Sequence, residues 1–525
     1  MFKEIKFKWE YLLVIFAIAF AFFCSYGTYT LGFITSDETI NYTFSLLYKN
    51  TGKLYYEEPL NDLADNIIRP RGVILRNGKL VPTKFVGLPI YYGNIIKVMG
   101  EKTLPYLTPC FASLGLFFIY LLGRELYGRK NGLISAFLAL VFPPFVYWSN
   151  FPLMENIFAS VFFVLGLWAI FRGLKTKKII YYLLAPISLG VAWNVRPDTT
   201  LFLVPLALVL LINIRKINIK FLLVGLAIFL LTVSPILIIN KQFYGAMLAT
   251  GQTPTSDNNE PSGIITSLPP PGKRSIQAIV EHKDVLFNNI RILNKAAPLF
   301  FFFGIGIIYC FKRQNMNKKL GENSKSPIMT NLSKWYCGFI LLSILVFTFF
   351  YLTGVPATRP VLLHNSYTRY FLPLYLACLP LLSLFIQELL DFNKLVIVLF
   401  VTIFIFCNIS FFLPILKKNW EYRESLSQTA DFIVENTQSN SVIFTGTLDK
   451  AIFPRRKVAI ISSLLENERN KIGEIVDSLF AKDIPLYIYD YNLDLNSIRF
   501  ELEKRELSLE RIKDSSLYKI AKQKT

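Results

Sequence analysis

The sequence predicts a polytopic α-helical membrane protein, with about eleven transmembrane helices and a small C-terminal extracytoplasmic α/β domain. Three observations carry that prediction. Of 525 residues, 53% are hydrophobic and 15% aromatic, with a mean hydropathy of +0.42, which is too apolar for an ordinary soluble domain. Apolar stretches near the length of a bilayer crossing recur along the chain, and basic residues gather in every second connection between them.

The first stretch, 11–30, follows a basic start, MFKEIKFK. Its apolar part is too long for a signal-peptide core and lacks a small-residue cleavage site, so it reads as a retained first helix. Further spans are expected at 105–122, 132–149, 153–171, 179–195, 199–213, 221–240, 296–311, 335–354, 370–387 and 394–414. The connections GRELYGRKN, RGLKTKK, NIRKINIK and FKRQNMNKKLGENSKS then fall on the same side as the amino terminus. The opposite connections SNFPLME and NVRPD carry only Arg196 as a basic residue. This positive-inside pattern puts the amino terminus in the cytoplasm. Residues 31–104, 241–295 and the tail after Pro414 then face outward, giving a transmembrane module over 1–414 and an extracytoplasmic domain over 415–525. In the tail, short apolar runs such as SVIFTG, KVAIISS and IPLYIYDY alternate with amphipathic stretches, the pattern of an α/β unit. It contains no glycine-rich phosphate loop. The second outer loop, with TSDNNEPSG and SLPPPGKR, is rich in Pro and Gly and reads as a mobile cover over the site or as a flexible connection, the cover being the favoured reading.

A net charge of +20 is no sign of nucleic acid here, because Lys and Arg of a membrane protein collect in cytoplasmic loops and near anionic headgroups. All six cysteines lie in apolar segments without CxxC spacing, so neither a disulfide framework nor a zinc site is indicated. Low Cys with high Lys and Ile fits a prokaryotic cell membrane.

The outward polar residues form a set. Asp37 and Glu38 follow the first apolar run in GFITSDETINY, and Glu155 opens the fourth span in FPLMENIF. Arg196 and Asp198 stand in NVRPDTTLF at the end of the fifth span, and Lys84 lies late in the first loop. TRPVLLHNSYTRYFLP supplies Arg359, His364, Tyr367 and Arg369. Singly, each is an ordinary helix cap or a snorkelling base. As a group, carboxylates and arginines at one membrane face suit transfer from a phosphate-linked donor. An acid takes the proton of an incoming hydroxyl, while cations stabilise charge growing on the departing phosphate. Two other readings compete. A transporter or flippase predicts midspan charges and repeated halves, and neither is evident. A non-catalytic assembly subunit leaves the grouped charges unexplained.

The acidic pair SDE, FPLMENIF, NVRPDTTLFLVPLAL and HNSYTRYFLPLYL, in this order on this topology, resemble the GT-C superfamily of membrane glycosyltransferases. The resemblance is to its branch of protein O-mannosyltransferases and lipid A aminoarabinose transferase, and it covers the first ten spans. It implies a polyprenyl or dolichyl phosphate sugar donor, a protein, lipid or glycan acceptor, and transfer with inversion. On it Asp37 is the candidate general base, with Glu38 its competitor, and Glu155 is the second acid. Arg196, Arg369, Lys84 and His364 would hold the donor phosphate, with Tyr367, Asp198 and Arg359 lining the site. The tail lacks the WWD-type motif of the metal-using oligosaccharyltransferases in the same superfamily. No cofactor is therefore expected, and Asp37 and Glu155 are the carboxylates that would bind a divalent ion if one is used.

Overall fold

The computed structural model describes residues 9–30, 32–251, 291, 304–311, 327–347, 366–392, 394–461, 470–489 and 495–523. Most of the second outer loop, including both segments read as a cover, lies outside the described residues. In chain order the elements are α1 (Trp9–Tyr26), α2 (Ser36–Thr51), β1 (Val73–Arg76), β2 (Lys79–Pro82), α3 (Gly87–Met99), α4 (Leu107–Tyr127), α5 (Arg129–Leu140) and α6 (Pro143–Ser149). There follow α7 (Glu155–Thr176), α8 (Ile179–Val195), α9 (Thr200–Ile212), α10 (Ile219–Tyr244), α11 (Pro327–Phe347), α12 (Ser366–Tyr370), α13 (Leu372–Phe392) and α14 (Lys394–Glu435). The tail adds β3 (Val442–Thr445), α15 (Asp449–Ile452), β4 (Lys457–Ile460), α16 (Asn470–Phe480), β5 (Leu486–Tyr489), α17 (Leu495–Glu503), β6 (Leu507–Arg511) and β7 (Leu517–Lys522). The chain divides into two compact units, one of Met1–Thr28, Tyr106–Ile239 and Pro254–Leu416, the other of Tyr29–Pro105, Asn240–Thr253 and Lys417–Thr525.

The first unit is helical and membrane-embedded. Here α4 packs on α5 and α7, α7 on α8, and α13 on α5, α7 and α4. Small residues let the crossings close: a Cβ on Gly132 would stand 2.5 Å from the Tyr120 carbonyl oxygen, so only glycine allows α5 this near α4. Among the described residues, four helices are long and apolar enough to cross a membrane, and α5 with α6 makes a fifth if that pair, bent by 60°, is one span. Ile179–Val195, Pro197–Ile212, Leu332–Phe347 and Leu372–Gln387 are apolar but shorter. The bend falls at the expected 132–149 span because Pro143 and Pro144 follow Val141 and Phe142. A proline removes a ladder donor and pushes its predecessor out of helical geometry. By contrast Pro414, expected to close the last span, lies inside α14, which continues to Glu435.

The second unit draws together the first outer loop and the tail. Its sheet has the order β4-β3-β5-β7-β6, with β3 parallel to β4 and β5, and β7 antiparallel to β5 and β6. Apolar residues alternate across it and both faces are covered, as parallel strands require. Val442, Phe444 and Ile488 pack with α16, α17 and the first-loop residues Ala64 and Ile68. On the other face Ile443, Val458 and Tyr487 pack with Leu426, Ala430 and Ile433 of α14. The first loop is thus folded, with α2, α3 and a β1–β2 hairpin that turns on Asn77 and Gly78 at positive φ, 51° and 73°.

Candidate functional site

Two groups of charged residues stand out, one in each unit. In the second unit the acidic pair does not end the first helix, as the apolar run suggested; α1 stops at Tyr26, and Asp37 and Glu38 form the first turn of α2. The cause is local. Thr35 is the N-cap, extended at φ −116° and ψ 151°, and with Glu38 three residues on it makes a reciprocal capping box. The Thr35 hydroxyl accepts from the Glu38 amide at 3.3 Å. Glu38 Oε2 accepts in return from the Thr35 amide at 2.9 Å, the Ile34 amide at 3.0 Å and the Thr35 hydroxyl at 3.1 Å. The other oxygen, Oε1, lies 2.8 Å from Arg423 Nη2 in an ion pair that lacks hydrogen-bond alignment. Both side chains are buried, at 0% exposure for Glu38 and 2% for Arg423. Arg423 also donates to the Gly32 carbonyl at 3.1 Å.

Asp37 has a different partner. It is 5% exposed, and its Oδ1 stands 2.5 Å from Lys84 Nζ, whose side chain is 27% exposed. A carboxylate beside an ammonium at a helix N-terminus has its negative charge complemented twice, while its neighbour reaches water. Gly32 lets the approach to α2 press against α14: a Cβ there would sit 2.0 Å from the Arg423 carbonyl oxygen, a backbone atom that cannot rotate away. Gly32→Ala is therefore expected to destabilise the protein by about 1–3 kcal/mol, the usual cost of overpacking. A thermal melt of the purified protein checks this, and an unchanged midpoint would disprove the tight contact.

In the first unit Arg196, Asp198, Glu155, Arg369 and Tyr370 come together. Pro197 drives its predecessor to an extended conformation, φ −142° and ψ 93°, which ends α8 at Val195 and turns the Arg196 side chain inward. Arg196 is 6% exposed. Its Nε donates to Asp198 Oδ1 at 2.9 Å and its Nη2 to Asp198 Oδ2, while Nη1 donates to Glu155 Oε1 at 3.4 Å. Glu155 opens α7, next to Leu153, a buried residue held at φ +62° where a side chain is strained. Arg369 lies over the Trp148 ring at 5.7 Å and the Tyr370 ring at 5.2 Å, and Arg196 lies over Tyr370 at 4.9 Å. Arg196, Arg369, Asn156, Ser160, Asp198 and Tyr370 line one small cavity, of about 10 Å³.

Of the remaining expected site residues, Arg359 and His364 lie outside the described residues, and only the backbone of Tyr367 is described, within α12. Lys84, expected among the phosphate ligands, is paired with Asp37. Among the described residues no three His, Cys, Asp or Glu side chains gather as a metal site. Sequence reasoning missed Trp148, Tyr370 and Arg423. The two aromatics read as ordinary span residues. Arg423 stands in YRESLSQTADFIVENT, an amphipathic stretch, where it falls on the same helical stripe as the buried Leu426, Ala430 and Ile433.

Residues 95–239 match the family model described as dolichyl-phosphate-mannose-protein mannosyltransferase. No curated protein sequence is matched. Among solved structures, ArnT from Cupriavidus metallidurans bound to undecaprenyl phosphate is similar over 98% of this chain and 97% of its own, with TM-score 0.56 and 9% identity. The same protein in the apo state gives TM-score 0.55 at 10% identity, over 98% of both chains. The apo oligosaccharyltransferase of Archaeoglobus fulgidus gives TM-score 0.44 at 12% identity, over 92% of this chain and 69% of its own. At such identities the ArnT likeness is one of fold, and it runs the length of the chain. The family match covers residues 95–239, and over the whole chain the likeness to ArnT is a shared fold.

Proposed function

We propose that the protein transfers a sugar from a polyprenyl or dolichyl phosphate to an acceptor hydroxyl at the extracytoplasmic face of a prokaryotic cell membrane, with inversion and with Asp37 as general base. One observation carries the reading: two arginines, Arg196 and Arg369, line a single cavity in a membrane-embedded unit. Arg196 is paired with Asp198 and Glu155, Arg369 brings a second guanidinium to the same cavity, and a planar guanidinium fork matches phosphate oxygens, which favours an anionic ligand there. The undecaprenyl phosphate bound by the fold relative ArnT supports a lipid phosphate as that anion.

The chemistry divides into two tasks. Asp37 accepts the hydroxyl proton as the acceptor oxygen bonds to the anomeric carbon. The bond from that carbon to the phosphate oxygen breaks with its electron pair, leaving polyprenyl phosphate, whose charge the arginines stabilise. Glu38 is poorly placed to serve as the base, since one of its oxygens takes three hydrogen bonds and the other faces Arg423. Arg196 is already held by Asp198 and Glu155, so Arg369 is assigned the closer phosphate contact and Arg196 the task of shaping the cavity. Lys84 is assigned to Asp37 and not to the phosphate.

Membranes containing the protein are expected to release polyprenyl phosphate from a labelled polyprenyl-phosphate sugar. Excess EDTA is expected to leave the rate within about twofold, because arginines alone can stabilise a monophosphate leaving group. A rate abolished by EDTA and restored by Mg²⁺ or Mn²⁺ would require a metal. No turnover of any donor, with lipid movement in reconstituted vesicles, would replace the enzyme reading by a flippase.

A further inference from the structure

We propose that Arg423, contributed by α14, is a positioning residue for Asp37 that acts through Glu38 and the first turn of α2. The C-terminal α/β fold is then a support for the base and not a separate acceptor-binding module. The inference rests on the reading of Asp37 as base. Its starting point is a long cationic side chain at 2% exposure on an otherwise apolar stripe, a placement that calls for a fixed anionic partner. That partner is Glu38, at 0% exposure, and the second guanidinium nitrogen is used on the Gly32 carbonyl. Glu38 is thus the meeting point of two structures: Oε2 closes the capping box of α2 and Oε1 faces α14.

Fixing Glu38 fixes the rotation of α2 about its axis. Successive residues of a helix are about 100° apart, so Asp37 is aimed away from α14 once Glu38 is aimed at it. It is there that Asp37 meets Lys84.

A second set of contacts supports the same end of α2. Lys450 Nζ donates to the Ile34 carbonyl, and the Thr39 hydroxyl donates to the Lys450 carbonyl at 2.7 Å. Asp449 accepts from the Arg71 amide at 2.7 Å and from Arg71 Nε at 2.9 Å, while Arg71 Nη2 reaches the Thr447 carbonyl. Residues 447–450 follow the carboxyl end of β3, the edge where open α/β sheets usually hold a ligand. Here that edge holds the first-loop segments that carry Asp37.

The test compares purified full-length Arg423→Met, Arg423→Lys and the double variant Glu38→Gln/Arg423→Met with wild type, reading kcat, donor KM and amide hydrogen exchange over residues 33–41. Arg423→Met is expected to lower kcat by at least about 100-fold, the scale of a displaced general base, with donor KM within about threefold and faster exchange over 33–41. The double variant is expected to regain at least about tenfold of the lost kcat, since it removes the unpaired buried carboxylate along with the arginine. A kcat for Arg423→Met within threefold of wild type, or a double variant no better than the single, overturns the proposal. If Arg423→Met does not accumulate folded, Arg423→Lys decides: it keeps the charge without the fork and must lower kcat at unchanged donor KM, and a wild-type kcat overturns the proposal. Should the wild type turn over no donor, the base assignment falls separately. Unchanged protection over 33–41 in the arginine variants then overturns the positioning role on its own.

Discussion

Asp37→Asn is expected to lower kcat by about 10²- to 10⁴-fold, the range typical for loss of a general base, while donor KM moves by less than about threefold. Asparagine keeps the shape and can still accept a hydrogen bond from Lys84, but it cannot take a proton. The residue lies in the first turn of α2, where losing a negative charge costs roughly 0.3–1 kcal/mol of helix stabilisation, too little to unfold the unit. The loss should therefore appear in turnover and not in yield or melting. Glu38→Gln should do the reverse. Its carboxylate is fully buried against Arg423, and removing one partner of such a pair costs about 3–5 kcal/mol. A lower melting temperature is expected, and any loss of kcat in the folded fraction should come with faster amide exchange over residues 33–41, because it arises from displacement of Asp37 and not from loss of a proton acceptor. If the two variants exchange these signatures, Glu38 is the base and Asp37 the support. If Asp37→Asn raises donor KM at unchanged kcat, Asp37 binds and does not catalyse.

How much of this could be read from the chain follows from what each feature depends on. Helices such as α8, over Ile179–Val195, coincide with the span read from hydropathy, because apolar length is a property of consecutive residues. The break between α5 and α6 was masked by the same measure, since the prolines of VFPP interrupt the helix without interrupting its apolarity. Thr35 and Glu38 carry a legible capping box, the S/T-x-x-E pattern, which marks the start of a new helix within the expected first loop. Arg196 was turned inward by a signal that was legible, the proline after it. Its bidentate grip on Asp198, two residues away, was within reach of the same reasoning. Arg423 was not legible as a site residue. The Gly32 carbonyl it binds is 391 residues away in the chain, and no local pattern encodes which charged residue of an amphipathic helix will be buried.

Arg196→Met is expected to destabilise the first unit by about 3–5 kcal/mol, because it leaves Glu155 and Asp198 facing one another without their cation. The side chains of Arg196 and Glu155 are each only 7% exposed, so water cannot replace the lost partner there. At Asp198, 20% exposed, it can do so in part, which favours the lower end of that range. Arg196→Lys should recover only part of the loss. A single ammonium cannot reproduce Nε and Nη2 on the two Asp198 oxygens together with Nη1 on Glu155. Arg369→Met makes the informative contrast. Its guanidinium lies over two aromatic faces in the same cavity, and its removal is expected to weaken polyprenyl phosphate binding about tenfold or more while leaving the melt within a few degrees. Thermal melts in detergent, paired with a titration of polyprenyl phosphate, separate the two roles. A melt for Arg196→Met equal to wild type, with binding lost, would make Arg196 the phosphate ligand and would require the donor to displace Asp198 from it.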